Sequence, residues 1–316
     1  MSDRHRVLLL GRQNPALEAR LAAAYDLHRL ADEADPHAFL ATRGSEFAAL
    51  VTSAIEGADG ALLEALPALR VLSSFGVGLD RIDLAAARRR GIAVGYTPDV
   101  LNDCVADLAF GLLLDAARSI SAADRYVRKG RWKEAPYPLA ARVSGKRLGI
   151  LGLGRIGRAV ARRAGGFDME VRYHNRSPAK DAPYAYAPSL TELARWSDFL
   201  VVAAAGGPAS RHIVNGEVLA ALGPQGFIVN VARGSVIDES ALIEALREGR
   251  IAGAGLDVFA HEPNVPDALL ALDNVVLLPH VGSGTNETRQ AMADRVFDNL
   301  HAFFSSGRLI SPAPFD

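Results

Sequence analysis

The sequence predicts an α/β protein made of two doubly wound, Rossmann-like domains with parallel sheets. Three observations carry that prediction. Short Val/Ile/Leu-rich runs alternate with Ala/Leu/Arg-rich stretches of helical periodicity along nearly the whole chain. Buried parallel strands read as such continuous apolar runs, and helical crossovers separate them. The 316 residues correspond to about two domains. Hydrophobic residues make up 49% and charged residues 22%, so two cores can be filled and disorder is disfavoured.

The first block of strands is HRVLLLG (from His5), FAALVTS (from Phe47), LRVLSSF (from Leu69) and GIAVGYT (from Gly91). A long helical pattern, VLNDCVADLAFGLLLDAARSI, follows Asp99. The alternation then resumes with KRLGILGLG (from Lys146), MEVRYHN, DFLVVAAA (from Asp198), GFIVNVARG (from Gly226), GAGLDVF (from Gly253) and NVVLLPH (from Asn274). SLTELARW, NGEVLAAL and ESALIEALREG are the helices between these strands. The last segment, TNETRQAMADRVFDNLHAFFSSG, reads as one amphipathic helix, and nothing ties it to the second block. The expected domains are 1–98 with 286–316, and 99–285.

The formal net charge of -1 offers no electrostatic footprint for nucleic acid or an anionic membrane. Cys104 is the only cysteine, which excludes an internal disulfide and a thiolate metal cluster. The apolar run in MSDRHRVLLLG is too short for a signal peptide or a membrane span, so a soluble cytoplasmic protein is the expectation. There is no G-x-S-x-G, H-E-x-x-H or G-x-x-x-x-G-K-[ST] motif, and no bound metal is expected.

GILGLGRIGRAVARRAG contains Gly152, Gly154 and Gly157 in G-x-G-x-x-G spacing. The spacing alone is a weak signal. A strand-like RLGIL before it and a helical RIGRAVARRA after it, which begins at Arg155 and Ile156, make it a dinucleotide-binding loop. Gly152 permits the turn, Gly154 lets backbone N–H groups reach a pyrophosphate, and Gly157 lets the helix pack on the strand. The helix N-terminus supplies partial positive charge.

An NAD-specific site places Asp or Glu at the end of the second strand, about 20 residues further on. In VRYHNRSPAK that place holds Asn175 and Arg176, followed by Ser177 and Lys180, and no acid occurs before Asp181. By itself the stretch is a solvated turn. Downstream of the glycine loop it reads as a cradle for a 2′-phosphate, with Arg176 offering a fork and Ser177 a hydroxyl. NADPH is therefore the expected cofactor, with NADH as the secondary donor.

Three polar residues end strands in the second block: Arg233 after FIVNVA, Glu262 in DVFAHEP and His280 after VVLLP. Ligands of open α/β sheets bind outside the carboxyl ends of the strands. Each residue also has a plain alternative, as a surface Arg, a turn-capping Glu or a structural His. FGVGLD, with Val77 and Gly78, fits equally an ordinary turn or a backbone anion nest.

SSFGVGLDRIDL, YTPDVLNDCVADLAFGLLL, GKRLGILGLGRIGRAVA, NVARGSVIDESALIEAL, GAGLDVFAHEP and NVVLLPHVGSGTNETR together resemble the D-isomer-specific 2-hydroxyacid dehydrogenases over nearly the whole chain. The nearest branch is similar to the NADPH-preferring glyoxylate/hydroxypyruvate reductases and their hydroxyphenylpyruvate-reducing relatives. The resemblance implies an active site in the cleft between the two domains. His280 would be the general acid, Glu262 would hydrogen-bond it and stabilise its protonated form, and Arg233 would polarise the substrate carbonyl and pair with the carboxylate. The backbone at Val77 and Gly78 would bind that carboxylate too. Asp257 and the backbone at Val231 and Ala232 would place the nicotinamide, with Gly282 beside them. The product would be a D-2-hydroxy acid and the assembly a homodimer. The same fold also serves dinucleotide-binding corepressors, which would be expected to carry tails or partner motifs.

Some positions depart from the family pattern. Ala205 in VVAAAGGP stands where a proline is usual, and LVTSAI (from Leu50) lacks a glycine often found in the first-domain substrate loop. RKGRWKEAPYPLAAR (from Arg128) matches a segment that in relatives reaches the partner subunit, so Trp132 and Leu139 are candidates for the dimer interface or for the partner's pocket.

Overall fold

The computed structural model describes residues 4–315. It divides into two compact units: the residues up to Leu101 together with those from Thr285 onward, and Asn102–Gly284.

In the first unit the chain runs β1 (Arg6–Leu9), α1 (Pro15–Ala24), β2 (Asp26–Arg29), α2 (Pro36–Arg43), β3 (Ala49–Ser53), α3 (Gly60–Glu64), β4 (Val71–Phe75), α4 (Leu84–Arg89) and β5 (Ala93–Gly95). The five strands form a parallel sheet in the order β2-β1-β3-β4-β5. Leu8, Leu50, Leu72 and Val94 form its core with Phe39, Leu63 and Ile82 from the helical side. Aspartates start α2, α3 and α4: Asp35, Asp59 and Asp83 accept the N–H of Ala38, Leu62 and Ala86.

The second unit contains α5 (Asn102–Arg118), α6 (Ile120–Arg128), β6 (Arg147–Leu151), α7 (Arg155–Ala164), β7 (Glu170–His174), β8 (Ala185–Tyr186), α8 (Leu190–Trp196), β9 (Phe199–Val202), α9 (Gly216–Leu222), β10 (Phe227–Asn230), α10 (Glu239–Arg247), β11 (Gly253–Leu256), α11 (Asp267–Leu270) and β12 (Val275–Leu277). Its seven parallel strands lie in the order β12-β11-β10-β9-β6-β7-β8. The chain leaves β6 toward one edge and returns to β9 on its other side. That reversal is the switch point at which doubly wound sheets hold a ligand. Leu200, Val202, Ile228, Ala254 and Leu256 are buried among Leu193, Leu219, Leu242 and Leu246 of the helices.

The last helix, α12 (Asn286–Ser306), belongs to the first unit. Asn299, fully buried on it, donates to the Tyr96 carbonyl at 3.2 Å and accepts the N–H of Ser311 at 2.9 Å. Ala313 N–H then donates to Val94 at 2.7 Å, so the terminal segment covers the open edge of β5. The apolar runs named from the sequence are strands here. Two strands lacked such a run: β2 is Asp-Leu-His-Arg at a sheet edge with both ends exposed, and β8 is two residues long. No helix among the described residues is long and apolar enough to cross a membrane.

Candidate active site

The glycine loop joins β6 to α7. Gly152 has φ +97°, and a Cβ there would come within 2.6 Å of Ala204 in the segment after β9. A Cβ on Gly157 would overlap the carbonyl oxygen of Gly152. The protein's own packing thus demands the first and third glycines. It does not demand the second: Gly154 has φ -84°, and a Cβ there would meet nothing within 4 Å. Gly154 also begins α7 without a side-chain cap, whereas Ser189, Asn215 and Asp238 cap α8, α9 and α10. The N–H groups starting at Arg155 and Ile156 lie behind open space that a side chain would narrow. These residues fit a pyrophosphate.

The loop after β7 is tied to the glycine loop. Asn175 Oδ1 accepts the N–H of Leu153 at 2.7 Å. Arg176, Ser177 and Lys180 are exposed, and among the described residues their side chains make no hydrogen bond or ion pair.

Arg233, Glu262 and His280 follow β10, β11 and β12, which are neighbours in the sheet. His280 Nδ1 lies 2.7 Å from Glu262 Oε2, and Glu262 Oε1 accepts the N–H of Phe259 at 3.0 Å. Burial is the largest single influence on Glu262 and opposes its charge. The hydrogen bonds from His280 and Phe259, with the positive charges of His280 and Arg233, outweigh it and hold its pKa below the ordinary value. An ionised Glu262 makes Nδ1–H the donor, which leaves Nε2 as the nitrogen that can carry a proton to a substrate. The side chains of His280 and Glu262 are 34% and 28% exposed, screened from bulk water but reachable.

Asp257 is 1% exposed and accepts the N–H of Val281 at 2.7 Å and of Gly282 at 2.8 Å, one on each oxygen. It therefore fixes the backbone immediately after His280, which itself has φ +53°, a left-handed conformation uncommon outside glycine. Burial pushes the Asp257 pKa up, against the pull of these two bonds and of His280.

Asn230, 1% exposed, holds the neighbouring turn: its Nδ2 donates to the carbonyl of Arg233 at 3.0 Å and its Oδ1 accepts the N–H of Ala232 at 3.0 Å. Val231 N–H donates to Val202 at 3.2 Å. The Ala232 carbonyl accepts Arg233 Nη1 at 2.8 Å, which holds the guanidinium against its own turn. Gly234 passes so close to Phe259 that any Cβ would overlap it, and Glu239 accepts the N–H of Ala260 at 3.0 Å. These contacts pack the Arg233 turn against the turn that carries Glu262.

In the first unit, Gly76 has φ +139°, a Cβ on it would come within 2.6 Å of the Ala54 Cβ, and its N–H donates to Thr97 Oγ1 at 3.0 Å. Among the described residues the N–H groups of Val77 and Gly78, next in the turn, donate to no protein acceptor. No group of three or more His, Cys, Asp or Glu that could hold a metal occurs among the described residues.

Residues 110–282 match the model of the D-isomer specific 2-hydroxyacid dehydrogenase NAD-binding domain. The hydroxyphenylpyruvate reductase of Plectranthus scutellarioides is 49% identical over 306 residues, 97% of this chain and 98% of that protein. The chain belongs to the D-isomer-specific 2-hydroxyacid dehydrogenases. Glyoxylate/hydroxypyruvate reductase A of Arabidopsis thaliana is 47% identical to this dehydrogenase over 97% of the chain and 98% of its own length. An NADPH-dependent glyoxylate/hydroxypyruvate reductase of Sinorhizobium meliloti, solved with NADP and malonate, matches it with a TM-score of 0.93 and 43% identity, covering 99% of this chain and 97% of that one.

The sequence reading of this dehydrogenase named the three strand-end residues, the glycine loop and Asp257. It did not find Asn230, Gly234 or Glu239. Asn230 stood in the quoted GFIVNVARG, and a polar residue ending an apolar strand was the available signal. Gly234 and Glu239 gave none, because their partners lie more than twenty residues away.

Proposed function

We propose that this dehydrogenase uses NADPH to reduce a small 2-oxoacid, glyoxylate or hydroxypyruvate, to the D-2-hydroxy acid. The observation that carries the reading is the His280–Glu262 pair at the carboxyl edge of the sheet, one strand from Arg233. In this reading His280 Nε2 gives its proton to the substrate carbonyl oxygen while Nδ1–H stays on the Glu262 carboxylate. Arg233 draws electron density from the carbonyl and pairs with the carboxylate. The N–H groups of Val77 and Gly78, which donate to no protein acceptor among the described residues, are candidate backbone donors to a carboxylate. Bound NADPH supplies the hydride that reaches C2. The Gly152–Gly157 loop and the start of α7 would hold its pyrophosphate, and Arg176 and Ser177 its 2′-phosphate. Asp257, through Val281 and Gly282, fixes the turn that carries His280, and the backbone at Val231 and Ala232 would place the nicotinamide.

The similarity to a hydroxyphenylpyruvate reductase favours a second reading with a bulkier, aryl 2-oxoacid. The deciding assay compares glyoxylate, hydroxypyruvate and hydroxyphenylpyruvate, each with NADPH and with NADH. The primary reading expects the highest kcat/KM for one of the small acids with NADPH. A preference for the aryl acid selects the second reading, and no 2-oxoacid-dependent oxidation of either cofactor defeats both.

A homodimer is part of the proposal. Helix α6 buries none of its residues, and Ile120, Val127, Trp132 and Leu139 around it are all more than half exposed. Exposed large apolar side chains of this kind are what a subunit interface covers. Light scattering on the eluting protein is expected to give twice the chain mass.

A further inference from the structure

We propose that Tyr173 and Tyr186 are positioning residues for cofactor choice: their hydroxyls fix the loop on which Arg176 and Ser177 stand. This rests on the NADPH reading above and adds to it the residues that make the phosphate cradle selective. The loop leaves β7 at His174 and reaches β8 at Ala185. A connection of that length with exposed polar residues has many conformations, and a guanidinium fork reaches a phosphate well only from a narrow set of them.

The structure removes that freedom at both ends of the cradle. Tyr186 Oη donates to the carbonyl of Asn175 at 3.2 Å, just before Arg176. Asn175 Oδ1 is held by Leu153 at 2.7 Å. On the far side, Tyr173 Oη accepts the N–H of Ala179 at 2.9 Å, and Arg158 Nη2 donates to the carbonyl of Lys180 at 3.1 Å. Only Arg176, Ser177 and Pro178 lie between the ties, and all three are exposed. The two tyrosine rings support each other edge-on, with centroids 5.5 Å apart.

The choice of tyrosine needs an explanation that packing does not give. Tyr173 is 2% exposed, and phenylalanine would fill the same space and keep the same ring contact without burying a polar atom. The hydroxyl adds only the bond to Ala179, and that bond serves the loop. A cofactor lacking the 2′-phosphate makes no demand on it. The two tyrosine hydroxyls therefore act on selectivity: their partners, Ala179 and the Asn175 carbonyl, lie outside the glycine loop and away from the strand-end residues.

The test uses Tyr173→Phe, Tyr186→Phe and the double variant, with Arg176→Asp as reference. Calorimetry measures binding of 2′,5′-ADP, which carries the 2′-phosphate, and of 5′-AMP, which does not. Each single Phe variant is expected to weaken 2′,5′-ADP several-fold and the double variant ~10-fold, with 5′-AMP within about 2-fold of wild type. In turnover, KM for NADPH rises while kcat and KM for NADH stay. Equal weakening of both ligands, or no change in either, overturns the proposal. If Arg176→Asp itself leaves 2′,5′-ADP binding unmoved, the NADPH reading is the one that fails and this proposal falls with it. If Arg176→Asp abolishes binding and the Phe variants do not weaken it, only the role of the tyrosines is wrong.

Discussion

His280 and Glu262 meet at 2.7 Å through Nδ1 and Oε2, across 18 positions of sequence and from the ends of two adjacent strands. A bond of that length to an ionised carboxylate holds the imidazole in one orientation with Nδ1–H as the donor. The bond is only as good as the backbone on both sides, and that backbone is fixed by Phe259 N–H on Glu262 and by Asp257 behind His280.

Glu262→Gln keeps the size and loses the charge. Reduction is expected to slow by about 10–100-fold, because a neutral amide no longer holds Nδ1–H through a charge-assisted bond. Stability should respond with a definite sign. The folded pKa of Glu262 is depressed, so its contribution is present at neutral pH and is lost as pH falls through the acid range below the ordinary Glu value. Acid unfolding of Glu262→Gln should therefore be less steep than that of the wild type. Near-normal turnover of Glu262→Gln would show that the carboxylate does not orient the imidazole for its role.

Asp257→Asn makes the opposite test. The folded pKa of Asp257 is raised by burial, so the native state holds a proton more readily than the unfolded chain, and this term lowers stability as pH rises above the ordinary Asp value. Asn removes that pH dependence. It also turns an amide NH2 toward one of two N–H donors, Val281 or Gly282, leaving a buried donor unpaired at about 1–3 kcal/mol. The expected result is a large loss of kcat together with a Tm that varies less with pH than the wild type's. Wild-type turnover would mean the His280 turn holds itself.

The glycines of the loop separate by mechanism. Gly157→Ala drives a Cβ into the Gly152 carbonyl, and a loss of stability large enough to lower Tm is expected. Gly154→Ala adds a methyl in open space at an ordinary φ of -84°, so Tm should hold while cofactor affinity falls ~10-fold or more. Thermal unfolding read beside cofactor titration distinguishes them. Equal behaviour of the two variants contradicts the assignment of Gly154 to the pyrophosphate.

His280→Ala and Arg233→Ala should each cut kcat/KM by ~10²–10⁴-fold while NADPH still binds, as quenching of the Trp signal or calorimetry can follow. Near-normal turnover in either variant would remove that residue from the catalytic set.

Much of this was legible before any coordinates. The apolar runs of β3, β4, β6, β9 and β10 announced buried parallel strands, because a strand covered on both faces needs no polar alternation. β2 and β8 were silent, because an edge strand of four or two residues buries too little to leave a pattern. Arg233, Glu262 and His280 were visible as polar residues that interrupt apolar strand ends. Their supports were not: Asn230 acts within three residues, whereas Gly234 and Glu239 act on Phe259 and Ala260 across a strand and a helix.

The sequence by itself determined the fold class, the family, the spacing of the dinucleotide loop and the place of Asn175 and Arg176, rather than an acid, at the end of β7. All of these are local in the chain, written in periodicity, glycine spacing and residue type. Tertiary structure alone decided that Asn175 ties two loops, that two tyrosine hydroxyls brace the segment bearing Arg176, and that Asp257 spends both oxygens on the turn after His280. Those bonds depend on which strands become neighbours and how far each turn reaches beyond the sheet. No single stretch of sequence carries that information, because each bond joins groups that only the packed sheet brings within 3 Å or so of one another.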